Sequence, residues 1–148
     1  YEDVSILPGA KHLLQVLSER GLALAVLTNK VDAHAKNILA HLVLDGHLRA
    51  VLGTGDGQPY RKPDPRFTMQ ALEILDCSSD ECILVGDSPY DFATAEAACL
   101  PCHLVATGSH SIKQLHADTN AVGIYPDLHD FAEKYFHLTL PKKQPENP

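Results

Sequence analysis

The sequence predicts an α/β protein, a doubly wound parallel sheet with helices on both faces. Three observations point there. Apolar runs of strand length alternate with segments of helical periodicity along the chain, the order that gives right-handed crossovers. The runs are continuous rather than alternating, as in strands covered on both faces. The residues that follow the runs are small hydroxyl and amide donors, a lysine and carboxylates. Open parallel sheets bind ligands at that end of their strands.

Gly9–Arg20 carries Leu13, Leu14 and Leu17 at helical spacing, with Pro8 before its first turn and Gly21 as its stop. Leu22–Leu27 is the first strand. Asp32 is placed to cap a helix running to Leu42, with Ile38, Leu39 and Leu42 inward. Ala50–Gly53 is a second strand, and Gly55–Pro65 a loop rich in Gly and Pro. Arg66–Leu75 reads as a helix, Cys82–Val85 as a third strand and Gly86–Pro89 as a strand-to-helix turn. Tyr90–Cys99 is an Ala-rich helix and Cys102–Ala106 a fourth strand. Ile112–His116, Ala121–Ile124 and Leu128–Phe136 complete the series as helix, strand and helix. The expected organisation is one core domain over 1–137 and a flexible tail over 138–148, where Pro is frequent and apolar periodicity stops.

Composition excludes several classes. The chain has 148 residues, room for one sizeable core. Its 12 basic and 19 acidic residues leave a formal charge of −7. That disfavours sequence-independent nucleic-acid binding and anionic lipid surfaces. No apolar run approaches the roughly 20 residues of a bilayer span, and the acidic start Tyr1–Val4 lacks signal-peptide character. With no initial Met (the sole Met is Met69), the expectation is a processed chain or a fragment whose upstream part is missing. Four cysteines are too sparse for a disulfide scaffold, and Cys99 and Cys102 lack the partners of a zinc site. Buried thiols in a reducing cytoplasm fit best.

The strand ends hold the chemistry. Asp87 ends an apolar strand, and Asp91 lies one helical turn on, so both carboxylates reach the same side of the helix start. Two nearby carboxylates repel unless a cation or proton intervenes, and hard oxygens with open positions suit Mg²⁺. A purely structural role would make Asp87 a helix cap and Asp91 a first-turn acid favoured by the dipole. Thr28 and Asn29 follow the longest apolar run and can donate to phosphate oxygens, or serve as ordinary turn residues. Lys62, in a loop, reads either as a solvated charge or as a placed one, since Pro63 biases its backbone toward extended geometry, which would fix where its side chain points.

The order Ala25-Val26-Leu27-Thr28-Asn29-Lys30, then Arg61-Lys62-Pro63-Asp64-Pro65, then Leu84-Val85-Gly86-Asp87-Ser88-Pro89-Tyr90-Asp91, resembles the haloacid dehalogenase-like hydrolase superfamily. More narrowly it is similar to the phosphoglycolate phosphatase group, from about Ser5 to Phe136. The resemblance implies a Rossmann-like core and Mg²⁺-dependent hydrolysis of a small phosphomonoester through an aspartyl-phosphate. It implies that Thr28 binds the phosphoryl group with Asn29 beside it, and that Lys62 neutralises its charge. Asp87 ligates Mg²⁺ and Asp91 supports the metal, directly or through water. Gly86 permits close approach of the turn, and Ser88 helps fix it.

One departure is large. The family's first strand ends in D-x-D-G-T, whose first Asp is the nucleophile, and this sequence contains no such motif. Neither Asp45-Gly46 nor Asp56-Gly57 supplies it. The cap domain that selects substrate lies in the family between that motif and the T-N strand. The chain therefore resembles the carboxyl-terminal part of the core, with its central strand missing between Leu22–Leu27 and Cys82–Val85. Three outcomes are open: those strands close on each other, self-association fills the gap, or an upstream segment completes the sheet. The alternatives on function are an inactive pseudophosphatase or regulatory binding module, and a phosphotransferase such as a sugar-phosphate mutase. Cys99 stands where relatives usually have Gly, which asks for negative φ or mild strain.

Overall fold

A computed structural model of the chain describes residues 9–31, 33, 36–37, 40, 45–55 and 57–141. Helix α1 (Ala10–Glu19) starts at Gly9, whose φ of +87° suits glycine, and buries Leu13 and Leu17. Strand β1 (Ala25–Val31) begins three residues later than its apolar run and continues through Thr28, Asn29 and Lys30. Ala33, Lys36, Asn37 and Ala40 are helical. The expected cap Asp32 and inner face Ile38, Leu39 and Leu42 lie outside the described residues. After strand β2 (Ala50–Thr54) comes helix α2 (Pro65–Leu75), capped by Asp64 with Pro65 in its first turn. A single turn of 3-10 helix (Ser79–Glu81) leads to strand β3 (Leu84–Gly86) and helix α3 (Pro89–Ala97). Then follow β4 (Cys102–Val105), α4 (Ile112–Asp118), β5 (Gly123–Tyr125) and α5 (Leu128–Phe136).

Every strand pairing is parallel, as expected, but the strands form two sheets: β1–β2 and β3–β4–β5. Among the described residues β1 and β3 do not pair, so the outcome in which they close on each other is overturned. Backbone bonds show which way each strand faces. Leu24 C=O accepts from Arg49 N–H beside β2, and Leu84 N–H donates to Pro101 C=O beside β4. Because consecutive residues of a strand direct their N–H groups to opposite sides, Ala25, Leu27 and Val85 face away from those partners.

The second sheet has two covered faces because β4 lies inside it. Cys102 and Leu104 pack with Leu72 of α2, Ala95 and Ala98 on and beside α3, and Leu115 of α4. On the other face Val105 joins Leu13 and Leu17 of α1, Tyr125 of β5 and Phe131 and Ala132 of α5. Leu140 is buried in this second cluster, so packing continues beyond the boundary drawn at residue 137. Residues 142–148, most of the expected tail, lie outside the described residues. Leu24 and Ile83, at the starts of β1 and β3, both rest half-buried against the α1/α5 cluster. That shared cluster holds the two sheets side by side at one end.

Candidate active site

At the other end the sheets are tied by side chains. The ladder between β1 and β2 slips between Leu27 and Val31, so Thr28–Lys30 bulge out of regular register. A bulge re-aims side chains, and here it gives Asn29 a reach across to the Gly/Pro loop. Asn29 Oδ1 accepts from Lys62 N–H at 2.8 Å, while Nδ2 donates to Lys62 C=O at 3.2 Å. One amide thus grips both sides of the Lys62 peptide backbone. Thr54 of β2 holds Asn29 in turn, its hydroxyl donating to Asn29 C=O at 2.9 Å. The Lys62–Pro63 peptide bond is cis.

Held this way, Lys62 points at the second sheet. Its Nζ lies 3.0 Å from Asp91 Oδ1, in a pair whose side chains are only 15% and 14% exposed. The other oxygen, Asp91 Oδ2, accepts from Asp87 N–H at 2.9 Å and from the Ser88 hydroxyl at 3.2 Å. Burial alone would raise the Asp91 carboxyl, but the Asp87 N–H and the Lys62 charge outweigh it and hold it below the usual carboxylate range. Asp87 shifts the opposite way, pushed up by burial and then by the Asp91 charge, with Lys62 opposing. Asp87 is not the helix cap: Ser88 caps α3, accepting from Asp91 N–H, which leaves the Asp87 side chain at the open end of the site.

Two glycines shape this corner. A Cβ on Gly86 would lie 2.3 Å from Asp91 Cβ, so the carboxylate packs against bare backbone at the end of β3. A Cβ on Gly108 would lie 2.5 Å from Asp87 Oδ2, so the loop after β4 closes over Asp87 the same way. Thr28 is the one expected site residue that does not join the network among the described contacts. Its hydroxyl accepts from Lys30 N–H at 3.2 Å. The helix N-terminus expected to assist it begins outside the described residues.

Sequence reading missed Gly108, Thr54 and Tyr90. Tyr90 hydroxyl bonds Lys62 C=O, and it accepts from Asn29 Nδ2 at 3.0 Å. Its ring lies 6.0 Å from Lys62 Nζ. Gly108 was findable, since it follows a strand at the ligand-binding end of the sheet. Nothing in the pattern marked Tyr90, which looks like any exposed helix residue.

The donor set suits a hard cation. Asp87 offers carboxylate oxygens at the open end with Asp91 behind it, and Asp87 is raised by burial first and then by the Asp91 charge, which a nearby cation would offset. Among the described residues no group of three or more His, Cys, Asp and Glu gathers. A cation here would take further oxygens from water, phosphate or a group outside the described residues, as Mg²⁺ commonly does. No helix among those residues is long and apolar enough to cross a membrane.

The sequence model of the haloacid dehalogenase-like hydrolases matches residues 2–105. The chain belongs to that family. Among its relatives, the phosphoglycolate phosphatase of Rhodospirillum rubrum is 37% identical over 124 residues, covering 84% of this chain and 50% of the relative. A plasmid-borne phosphoglycolate phosphatase of Cupriavidus necator is 40% identical over 104 residues, covering 70% and 45%. The chain spans about half the length of the curated relatives it matches. Similar solved structures include a predicted phosphatase from Clostridium acetobutylicum, with 28% identity and a TM-score of 0.78 over 88% of this chain and 59% of that one. A hydrolase from Pseudomonas syringae has 26% identity and a TM-score of 0.77 over 90% and 60%.

Proposed function

We propose that this chain is the carboxyl-terminal part of the core of a Mg²⁺-dependent phosphatase that hydrolyses a small phosphomonoester such as phosphoglycolate. The observation that carries the reading is the partly buried Lys62–Asp91 pair, held between two sheets by Asn29 and positioned beside Asp87. Phosphoryl transfer asks mainly for positioning and charge stabilisation. Lys62 supplies a fixed positive charge for phosphoryl oxygens. Asn29 fixes Lys62, and Thr28 offers a hydroxyl to the same group. Asp87 would hold Mg²⁺ directly, with Asp91 supporting it through water. Asp91, with both oxygens engaged, anchors Asp87 and Lys62, and Gly86 and Ser88 hold Asp91. Bound Mg²⁺ would supply charge neutralisation and polarise a phosphoryl oxygen.

The nucleophile, an aspartate that becomes phosphorylated, lies on a segment upstream of this chain. That segment also fills the space between β1 and β3, delivering its carboxylate between Lys62 and Asp87. A reducing, cytoplasmic setting accords with four free thiols.

Activity on phosphoglycolate and on p-nitrophenyl phosphate tests the reading. The chain alone should turn over neither faster than buffer. Joined to a D-x-D-G-T strand segment it should hydrolyse one of them with Mg²⁺, and Lys62→Ala should remove ~10²-fold or more of that rate. If the completed protein binds phosphate and Mg²⁺ yet hydrolyses no phosphomonoester, the chain belongs to a binding module instead.

A further inference from the structure

Lys62 carries its charge on a long flexible stem, so the place of that charge depends on what holds the residue at both ends. At the tip, Nζ lies 3.0 Å from Asp91 Oδ1. At the root, the backbone sits in a turn outside helix and strand. The Asn29 amide grips that backbone from the first sheet. Tyr90 grips it from the other side: its hydroxyl donates to Lys62 C=O and accepts from Asn29 Nδ2 at 3.0 Å. Tyr90 and Asp91 are consecutive residues in the first turn of α3. One turn of helix thus holds both the carbonyl and the ammonium of Lys62. That turn is itself fixed. Ser88 caps it, Pro89 opens it, and the wholly buried Thr94 donates its hydroxyl to Tyr90 C=O at 2.9 Å. Tyr90 is 45% exposed, so packing is the smaller part of what it does here and the two bonds of its hydroxyl are the larger.

We infer that Tyr90 is a positioning residue for phosphoryl transfer, one that fixes the Lys62 ammonium by holding the Lys62 carbonyl from α3. The inference rests on the reading of Lys62 as the charge that meets phosphoryl oxygens. The Tyr90 hydroxyl is spent on Lys62 and Asn29, so it acts through them and not on the reacting group. Asn29 belongs to the first sheet, Asp87 and Asp91 follow the second, and among the described residues the two sheets share no strand pairing. With Asn29 as its holder alone, the Lys62 backbone would follow the first sheet, and any shift between the sheets would move the charge relative to Asp87. The Tyr90 bond makes that backbone follow α3 instead. A misplacement of ~1 Å can cost ~10²-fold in rate. Loss of the hydroxyl leaves Lys62 C=O its bond from Asn29 Nδ2 at 3.2 Å, so no carbonyl is orphaned and the fold should tolerate the change.

Tyr90→Phe deletes the hydroxyl and keeps the ring, which lies 6.0 Å from Lys62 Nζ, so a change at Nζ would not stem from a lost ring. Relaxation of the ¹⁵N-labelled lysine ammonium groups in the full chain reads the clamp without any turnover. Tyr90→Phe should raise the mobility of Lys62 Nζ severalfold. Lys134, paired with Asp130 on α5, and the amide shifts of β4 should stay as they were. A Lys62 ammonium as ordered as before would overturn the inference, and so would a loosening shared equally by Lys134 and β4, the mark of a merely structural role. In the protein completed with a D-x-D-G-T strand segment, Tyr90→Phe should lower kcat ~10-fold while KM stays within about twofold. Turnover that Lys62→Ala removes and Tyr90→Phe leaves whole would overturn this inference alone. Turnover indifferent to Lys62→Ala would overturn the phosphatase reading and this inference with it.

Discussion

The two sheets are built from equally apolar sequence and end in different states. Cys102–Val105 is buried at all four positions, with Leu104 wholly covered. The residues of Ala25–Asn29 are only half-buried, and Val85 of β3 is 42% exposed. Composition does not explain the contrast, since Leu22–Leu27 is the longest apolar run of the chain. Position does. β4 has strands on both sides and helices on both faces, whereas β1 and β3 each carry one described strand neighbour. Apolar strand sequence therefore reports the burial a strand is suited to, and neighbours decide how much is realised.

Hydrogen exchange would break or sharpen this comparison most strongly. Amides that face no partner exchange from the folded state, while interior ones wait for large-scale opening. Val85, Ala25 and Leu27 should exchange ~10³-fold or more faster than amides of β4 in the isolated chain, and slow markedly once a D-x-D-G-T strand segment is supplied. Equal protection of β1, β3 and β4 in a monomer would mean that β1 and β3 are paired after all.

The ties between the sheets come next. Gly86→Ala places a methyl against Asp91 Cβ, the root of a side chain that cannot swing aside. Overpacking of this kind typically costs ~1–3 kcal/mol, and here it also pushes Asp91 off Lys62. Gly108→Ala crowds the carboxyl end of Asp87, with Oδ2 at 2.5 Å and Cγ at 2.9 Å, and clears its Cβ at 3.3 Å, so that side chain can turn. It should turn Asp87 and weaken Mg²⁺ binding with a much smaller loss of stability. Denaturant midpoints and magnesium titration by NMR separate the two effects. Equal destabilisation by both variants would refute the distinction.

What was legible in the sequence follows the same division. Strands β2, β4 and β5 and helices α1 to α5 fall within a few residues of their apolar runs, because each packs on neighbours the described chain contains, whereas β1 and β3 start two or three residues later than theirs. The site was legible as motifs: Asn29, Lys62 and Asp91 do meet. The sequence could not show that Ser88 rather than Asp87 caps α3, because both residue types cap well and one position separates them. It could not show the bulge at Thr28–Lys30, which depends on register against β2. Nor could it show Tyr90 bonding Lys62 across the gap, a contact between residues 28 apart.

The completed half also has its own pH signature. His103 of β4 is buried, with Nδ1 2.9 Å from Tyr125 hydroxyl and its ring packed against Tyr135 and Phe131. Burial holds it below its ordinary 6.5. Below about pH 6.5 the unfolded chain takes up a proton that the folded chain refuses, so stability falls as pH drops from there to the folded value. Urea unfolding between pH 7 and 5 should show this loss, and His103→Gln should flatten it. An unchanged slope in the variant would place the titration elsewhere.

The smallest expected effect lies just before β4, at Cys99. Its φ of +59° is left-handed, so the strained alternative is the one the chain adopts. A left-handed conformation costs a residue with a Cβ about 1–2 kcal/mol relative to its preferred region. Glycine avoids that cost, but it also gains freedom in the unfolded chain, which takes back roughly 0.5–1 kcal/mol. Cys99 is exposed, so its thiol contributes little packing to set against the change. Cys99→Gly should therefore stabilise the chain by ~0.5–1 kcal/mol, and Cys99→Ala, which keeps the Cβ, should leave stability nearly unchanged. The gain should appear wholly in the unfolding of the β3–β4–β5 half and leave the exchange of Ala25 and Leu27 untouched. Thermal unfolding of the three proteins at one pH measures the difference. If Cys99→Gly lowers the midpoint, the residue is held there by contacts worth more than its backbone strain.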